Sequence, residues 1–152
     1  QARDMAQAMR YPPDGVRGMG AVLARASGFG SIKDYPHVAN GQMCLLVQAE
    51  SAKAVANIDE IAAVEGVDGV FVGPADLSAD MGYPGQPGHP EVEKAIDHVI
   101  AQTVAAGKIA GIITFDESRF AEYAQKGVTF LGVGGDLAVL NDALRGLAGR
   151  LG

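Results

Sequence analysis

Glu50 closes the apolar run MCLLVQAE (residues 43–50), and Asp76 stands just beyond the next one, in GVFVGPADLS (residues 69–78). Two carboxylates leaving neighbouring parallel strands at the same end can grip one divalent cation between them. Mg²⁺ and Mn²⁺ are hard ions that take carboxylate and water oxygens. They often use only one or two protein carboxylates, which leaves positions open for a chelating substrate. Either carboxylate alone reads equally well as a solvated group or a helix cap; the pair, with its flanks, points to a metal. Gln48 precedes Glu50 by two, so strand alternation turns both to one face. Its amide can donate to a bound carbonyl or carboxylate, or it is a polar side chain satisfied inside the fold. Gly73-Pro74-Ala75-Asp76 halts its strand abruptly, because Gly allows close backbone approach and Pro stiffens the turn. The N–H groups of Ala75 and Asp76 are then free for a substrate carboxylate.

The separation of 26 positions from Glu50 to Asp76 matches one strand–helix–strand repeat. From Gln42 onward, short apolar runs alternate with longer segments of helical period, the pattern of a parallel sheet. Strands are expected at 43–48, 69–72, 109–114 and 129–133, each nearly continuous in apolar residues, as in strands covered on both faces. Helices are expected at 52–64, 90–106, 118–126 and 137–150, with apolar residues at intervals of three and four, such as Val92, Ile96, Val99 and Ile100. Pro90 suits a first helical position, Gly107 and Gly127 suit helix ends, and Asp136 suits a cap. All four strands would then deliver their carboxyl ends to one rim, where barrels and open α/β sheets place their sites. Residues 1–10 read as an incoming helix, with Ala2, Met5, Ala6 and Met9 on one face. Residues 11–41 read as a long loop region, and such loops are usually functional or disordered. The 152 residues are therefore expected to form a single domain.

A chain of 152 residues with 48% hydrophobic content can build a substantial core, burying roughly 70% of its unfolded surface. The formal charge of -6 comes from scattered acids, with no basic stripe of the kind that neutralises a phosphate backbone. This argues against a nucleic-acid partner. No apolar run reaches the roughly 18 residues of a membrane span, and nothing resembles a signal peptide, so a soluble chain is expected. Cys44 lies within an apolar run, where a buried thiol acts as a small hydrophobe; disulfide and zinc spacings are absent. Gly132-Val133-Gly134-Gly135-Asp136 opens a helix, but Leu137 stands where the third glycine of a phosphate loop belongs. A tight turn with a helix cap is the favoured reading there. His37, His89 and His98 lack metal-ligand spacing and suit surface roles. Arg17 and Arg25 could bind an anion or pair with acidic neighbours. Lys108 begins a strand, away from the carboxyl rim, which gives a Schiff-base route little support.

Together RYPPDGVRGMG (10–20), LARAS (23–27), MCLLVQAE, EGVDGVFVGPADLSADMGYPG (65–85) and HPEV (89–92) strongly resemble the HpcH/HpaI aldolase family. The likeness runs through essentially the whole chain. It implies an α/β fold, the C-terminal half (four strand–helix units) of a TIM (β/α)8 barrel. The activity implied is that of a class II, metal-dependent pyruvate aldolase of aromatic-compound catabolism. Such an enzyme reversibly cleaves 4-hydroxy-2-oxo acids, such as 4-hydroxy-2-oxoheptanedioate, to pyruvate and an aldehyde such as succinic semialdehyde. By matching position, the resemblance makes Glu50 and Asp76 the ligands of Mg²⁺ or Mn²⁺, with Co²⁺ a third candidate. It makes Gln48, Ala75, Asp76 and Ile113 substrate-binding, with Ile113 shaping the aldehyde pocket. A cytoplasmic homo-hexamer, built from dimers with exchanged terminal helices, is also implied. The family's catalytic histidine, the acid that tunes it and its transition-state arginine belong to segments ahead of Gln1, and no histidine here matches. The chain is accordingly expected to be part of a longer protein. Two alternatives stand beside this reading: an aldolase of 2-keto-3-deoxy sugar acids, and a metal- and pyruvate-binding fragment without turnover.

Overall fold

Four short strands of mainly apolar residues pair side by side in the computed structural model, which describes residues 1–151. They are β1 Leu46–Ala49, β2 Gly69–Val72, β3 Ile109–Ile113 and β4 Val128–Gly132. All pairings are parallel, and the spatial order β1-β2-β3-β4 is the chain order. One register row runs Ala49, Val72, Ile112, Leu131, and the next runs Gln48, Phe71, Gly111, Phe130. Side chains of adjacent rows point to opposite faces. The first row joins Val70 and Ala110 against helix α6 (Pro90–Ala105), where Val92, Ile96, Val99 and Ile100 are buried with Ile58, Leu77 and Tyr123. Each large apolar side chain so buried contributes about 1.5–3 kcal/mol.

The second row is different. Gln48 and Phe130 are exposed, Phe130 by 53%. Coverage on both faces, expected from the apolar runs, is therefore not found: among the described residues one face carries helices and the other is open. The runs look continuous because the open face is itself apolar. Phe71 and Phe130 meet edge to face with centroids 5.8 Å apart. A Cβ on the intervening Gly111 would stand 2.7 Å from Phe71 Cδ2, so that glycine admits the ring. Four parallel strands in chain order with helices on one side form part of a TIM-barrel-like α/β fold.

The remaining elements follow local rules, with four departures from expectation. Helix α1 spans Ala2–Ala8, and the following stretch folds into short 3-10 turns and helix α2 (Tyr35–Val38). This loop region is ordered: Asn40 Oδ1 accepts the Tyr11 N–H at 2.7 Å, and Asn40 Nδ2 donates to the Tyr11 carbonyl at 3.0 Å. The helix expected at 52–64 is broken into α3 (Ala52–Ala56) and α4 (Ile58–Ala62). Between them Asn57 Nδ2 turns back onto the Lys53 carbonyl at 2.7 Å, the competition with helix that asparagine favours. A further helix, α5 (Pro74–Asp80), is too short to show a period in sequence.

Helix α7 (Phe120–Gln125) precedes β4, and α8 (Asp136–Ala148) closes the described fold. Gly135, not Asp136, caps α8; Asp136 is already helical, and its Oδ1 accepts the Leu137 N–H at 2.8 Å. No residue of α8 is buried, and Leu137, Leu140, Leu144 and Leu147 are exposed. Cys44 is exposed rather than buried. The strand starts later than expected, at Leu46, so Cys44 lies outside the ladder, and Leu45 rather than Cys44 is buried among Ala6, Val64 and Val67. No helix among the described residues is long and apolar enough to cross a membrane.

Candidate active site

The ladder that pairs Ala49 with Val72 brings the next residues, Glu50 and Gly73, level at the carboxyl rim. Gly73 is the residue before α5, Pro74 its first position, and Asp76 lies in its first turn. A negative charge is favourable there, facing the positive end of the helix dipole. Glu50 folds over Gly73 so closely that a Cβ at Gly73 would stand 3.1 Å from Glu50 Oε2 and 3.3 Å from Glu50 Cβ. Gln48 Nε2 lies 4.0 Å from the same point. Leu77 is the first residue of α5 to reach back, donating to the Gly73 carbonyl at 2.9 Å. The amides of Ala75 and Asp76 precede that bond, and no side chain caps the helix. They are the orphan donors expected of a helix start.

Two cavities meet at this rim. One, of about 1190 Å³, is lined by Gln48, Glu50 and Asp76 together with Lys53 and Asp80. The other, of about 680 Å³, is lined by Gln48, Ala75, Asp76 and Ile113, with Phe71 and Phe115 on its apolar side. Gln48 and Asp76 belong to both and form the wall between them. All five residues singled out by sequence are thus gathered at one place. Glu50 is half-buried, whereas Gln48 and Asp76 are exposed. The donors present are hard oxygens: two carboxylates and an amide. Among the described residues no group of three or more His, Cys, Asp or Glu is arranged to hold an ion. An acidic pair fits an ion that keeps most of its positions for water and substrate.

The other candidates lie elsewhere. No histidine lines either cavity. His89 caps α6, its Nδ1 accepting the Glu91 N–H at 3.2 Å, and stacks on Tyr83 with centroids 3.6 Å apart. Arg17 lies 4.5 Å over the Tyr11 ring and donates to Tyr35 Oη at 3.4 Å, an arrangement that packs the loop region. Arg25 is exposed in a 3-10 turn.

Sequence reasoning missed an ionic cluster beside the second cavity. Arg119 donates through both Nη atoms to Glu93, at 2.6 and 2.7 Å, and through Nε to Glu122 at 3.1 Å. These carboxylates raise the Arg119 pKa. Arg119 and Lys126 in turn draw Glu122 down to about 2, while burial pushes Tyr123 up to about 12. The spacing of Arg119, Glu122 and Lys126 on one helical face was the available signal; the link to Glu93, on another helix, left none.

A parallel strand–helix array with its cavities at the carboxyl rim is the arrangement of a TIM-barrel-like α/β enzyme fold. Residues 1–143 match the HpcH/HpaI aldolase/citrate lyase family, and the chain belongs to that family. It is 55% identical over 150 residues to a hydroxypyruvate/pyruvate aldolase of Pseudomonas aeruginosa, covering 99% of this chain and 56% of that protein. It is 51% identical over 152 residues to a 4-hydroxy-2-oxo-heptane-1,7-dioate aldolase of Shigella sonnei, covering 100% of this chain and 58% of that one. Among solved structures, an HpcH/HpaI aldolase/citrate lyase family protein of Burkholderia cenocepacia J2315 superposes with a TM-score of 0.92 at 38% identity. That match covers 99% of this chain and 60% of the other. The chain thus spans somewhat more than half the length of these relatives.

Proposed function

We propose that this chain carries the metal- and pyruvate-holding part of a class II aldolase, a carbon–carbon lyase that reversibly cleaves 4-hydroxy-2-oxo acids to pyruvate and an aldehyde. The observation that carries the reading is the Glu50 carboxylate folded over Gly73 at the head of the helix bearing Asp76, beside Gln48. Glu50 and Asp76 would hold Mg²⁺ or Mn²⁺, with Co²⁺ a third candidate. When bound, such an ion supplies Lewis-acid polarisation of a keto oxygen. The Ala75 and Asp76 amides receive the substrate carboxylate, and Gln48 Nε2 donates to an oxygen of the same group. Ile113, across the second cavity, bounds the aldehyde portion. In cleavage a base takes the proton of the C4 hydroxyl, the C3–C4 bond breaks, and C4 leaves as the aldehyde carbonyl. The bonding pair stays with the pyruvate portion, which takes up a proton at C3. His37, His89 and His98 lie off both cavities, and the resemblance assigns the base and an arginine to other segments.

The names of the relatives favour two substrate classes. The heptanedioate aldolase supports a dicarboxylic 4-hydroxy-2-oxo acid that yields succinic semialdehyde. The relative named for hydroxypyruvate supports that compound as a second nucleophile. The exposed leucines of α8 support a homo-oligomer, a hexamer built from dimers with exchanged terminal helices, in which that face is covered. The test is pyruvate release by the complete protein that contains this chain, with and without Mg²⁺ or Mn²⁺, and in the Glu50→Ala and Asp76→Ala variants. Release is expected to require the ion and to vanish in both variants; release that survives a chelator and both substitutions overturns the reading.

A further inference from the structure

Asp80 is the last residue of α5, one turn beyond Asp76, and its Oδ2 accepts the N–H of Ala52 at 2.7 Å. Ala52 opens α3, two residues after Glu50. A single charge-assisted hydrogen bond therefore joins the helix that bears Asp76 to the turn that follows Glu50. Such bonds are roughly twice as strong as neutral ones. Its own helix does not account for Asp80, because a carboxylate at a helix C-terminus faces the negative end of the dipole. It meets a need on α3 instead. That helix carries no acid in its first turn; Ala54 N–H donates to Ser51 Oγ at 3.2 Å and Val55 N–H to the Ser51 carbonyl at 3.0 Å, which leaves the Ala52 amide to Asp80. The Glu50–Ser51 turn is held from two sides, by the β1–β2 ladder through Ala49 and Val72 and by Asp80 through Ala52.

We infer that Asp80 is a positioning residue that fixes Glu50 against Asp76 through the Ala52 amide. The inference rests on the reading of those two carboxylates as metal ligands. Loss of such an outer partner typically weakens metal binding by 10–100-fold. Asparagine keeps an acceptor oxygen for the amide, and Asn and Asp serve about equally at helix starts. The experiment is a Mn²⁺ titration of the intact protein, Glu50→Ala, Asp80→Ala and Asp80→Asn, followed by electron paramagnetic resonance, with metal-free thermal unfolding alongside.

The expected result is Mn²⁺ affinity lowered on the order of 10–100-fold in Asp80→Ala and within about threefold of wild type in Asp80→Asn. Affinity unchanged in Asp80→Ala, whether or not its unfolding midpoint falls, overturns the inference while leaving the ligand reading intact. Equal loss in Asp80→Asn also overturns it, because Asp80 then acts through its charge or as a ligand itself. Wild-type binding no tighter than that of Glu50→Ala overturns the ligand reading, and the inference with it. Should Asp80→Ala fail to fold, Asp80→Leu takes its place, with the same loss expected and unchanged affinity overturning the inference.

Discussion

Glu50 and Gly73 are in contact across two strands: a Cβ at Gly73 would lie 3.1 Å from Glu50 Oε2 and 3.3 Å from Glu50 Cβ. With a φ of -101°, Gly73 has a backbone open to any residue. Gly73→Ala therefore acts by displacing Glu50 alone. Mn²⁺ affinity is expected to fall about tenfold or more, with a stability loss of about 1–3 kcal/mol from overpacking. Calorimetric titration and denaturant unfolding measure the two effects separately.

Ile113 lines the cavity that Gln48, Ala75 and Asp76 share. On the proposed reading Ile113→Ala enlarges the side that takes the aldehyde, so longer acceptors should gain relative to short ones. A methylene of fit is worth about 1–3 kcal/mol in an apolar pocket, or roughly 10–200-fold in kcat/KM. An unchanged ratio of kcat/KM across a series of aldehydes would remove Ile113 from the acceptor pocket.

Gly111 meets Phe71 Cδ2 at 2.7 Å and Phe130 Cδ1 at 3.1 Å from the position of a would-be Cβ. Gly111→Ala is expected to destabilise by about 1–3 kcal/mol as the ring pair is forced apart. Urea unfolding of the variant gives the difference directly.

Glu122 titrates from an ordinary 4.5 down to about 2 in the folded protein, under Arg119 and Lys126. A carboxyl with a depressed folded pKa contributes stability above its unfolded pKa, and that stability fades as pH falls through the folded one. The fade should span roughly pH 4.5 to 2. Glu122 is largely open to solvent, so the effect is modest and falls with salt. Comparing the acid limb of thermal unfolding in wild type and Glu122→Gln shows it; identical limbs would exclude the contribution.

The strand count, their parallel pairing and the meeting of Gln48, Glu50, Ala75 and Asp76 were legible because each rests on a local pattern repeated along the chain, whereas Ile113 was reached only through the family resemblance. β2 begins and ends where its apolar run does. β1 does not: pairing starts only where a neighbour is available, so the run at Met43 enters the ladder late, and Cys44 falls outside it. Periodicity also carried the helix at 52–64 through Asn57, whose side chain breaks it by a bond that periodicity does not encode. The open face of the sheet was hidden because Phe71 and Phe130 look like core residues by type. Nothing in the sequence marks Asp80, since its partner is a backbone amide 28 positions away.

Chain order and spatial order coincide in this sheet, and that bears on how the protein is made. Each new strand docks on one already present, with Gly69 pairing to Leu46, then Ile109 to Gly69, then Val128 to Ala110. Closure entropy grows only slowly with such separations, and domains generally begin to fold N-terminal part first during synthesis. The β1–β2 ladder needs nothing beyond Val72, so the turn carrying Glu50 and the start of α5 can be in place while α6 is still being translated. Stalled ribosomes that expose the chain through about residue 85 should therefore already protect the Gly69 and Gly73 amides, which donate to the Leu45 and Ala49 carbonyls, from exchange.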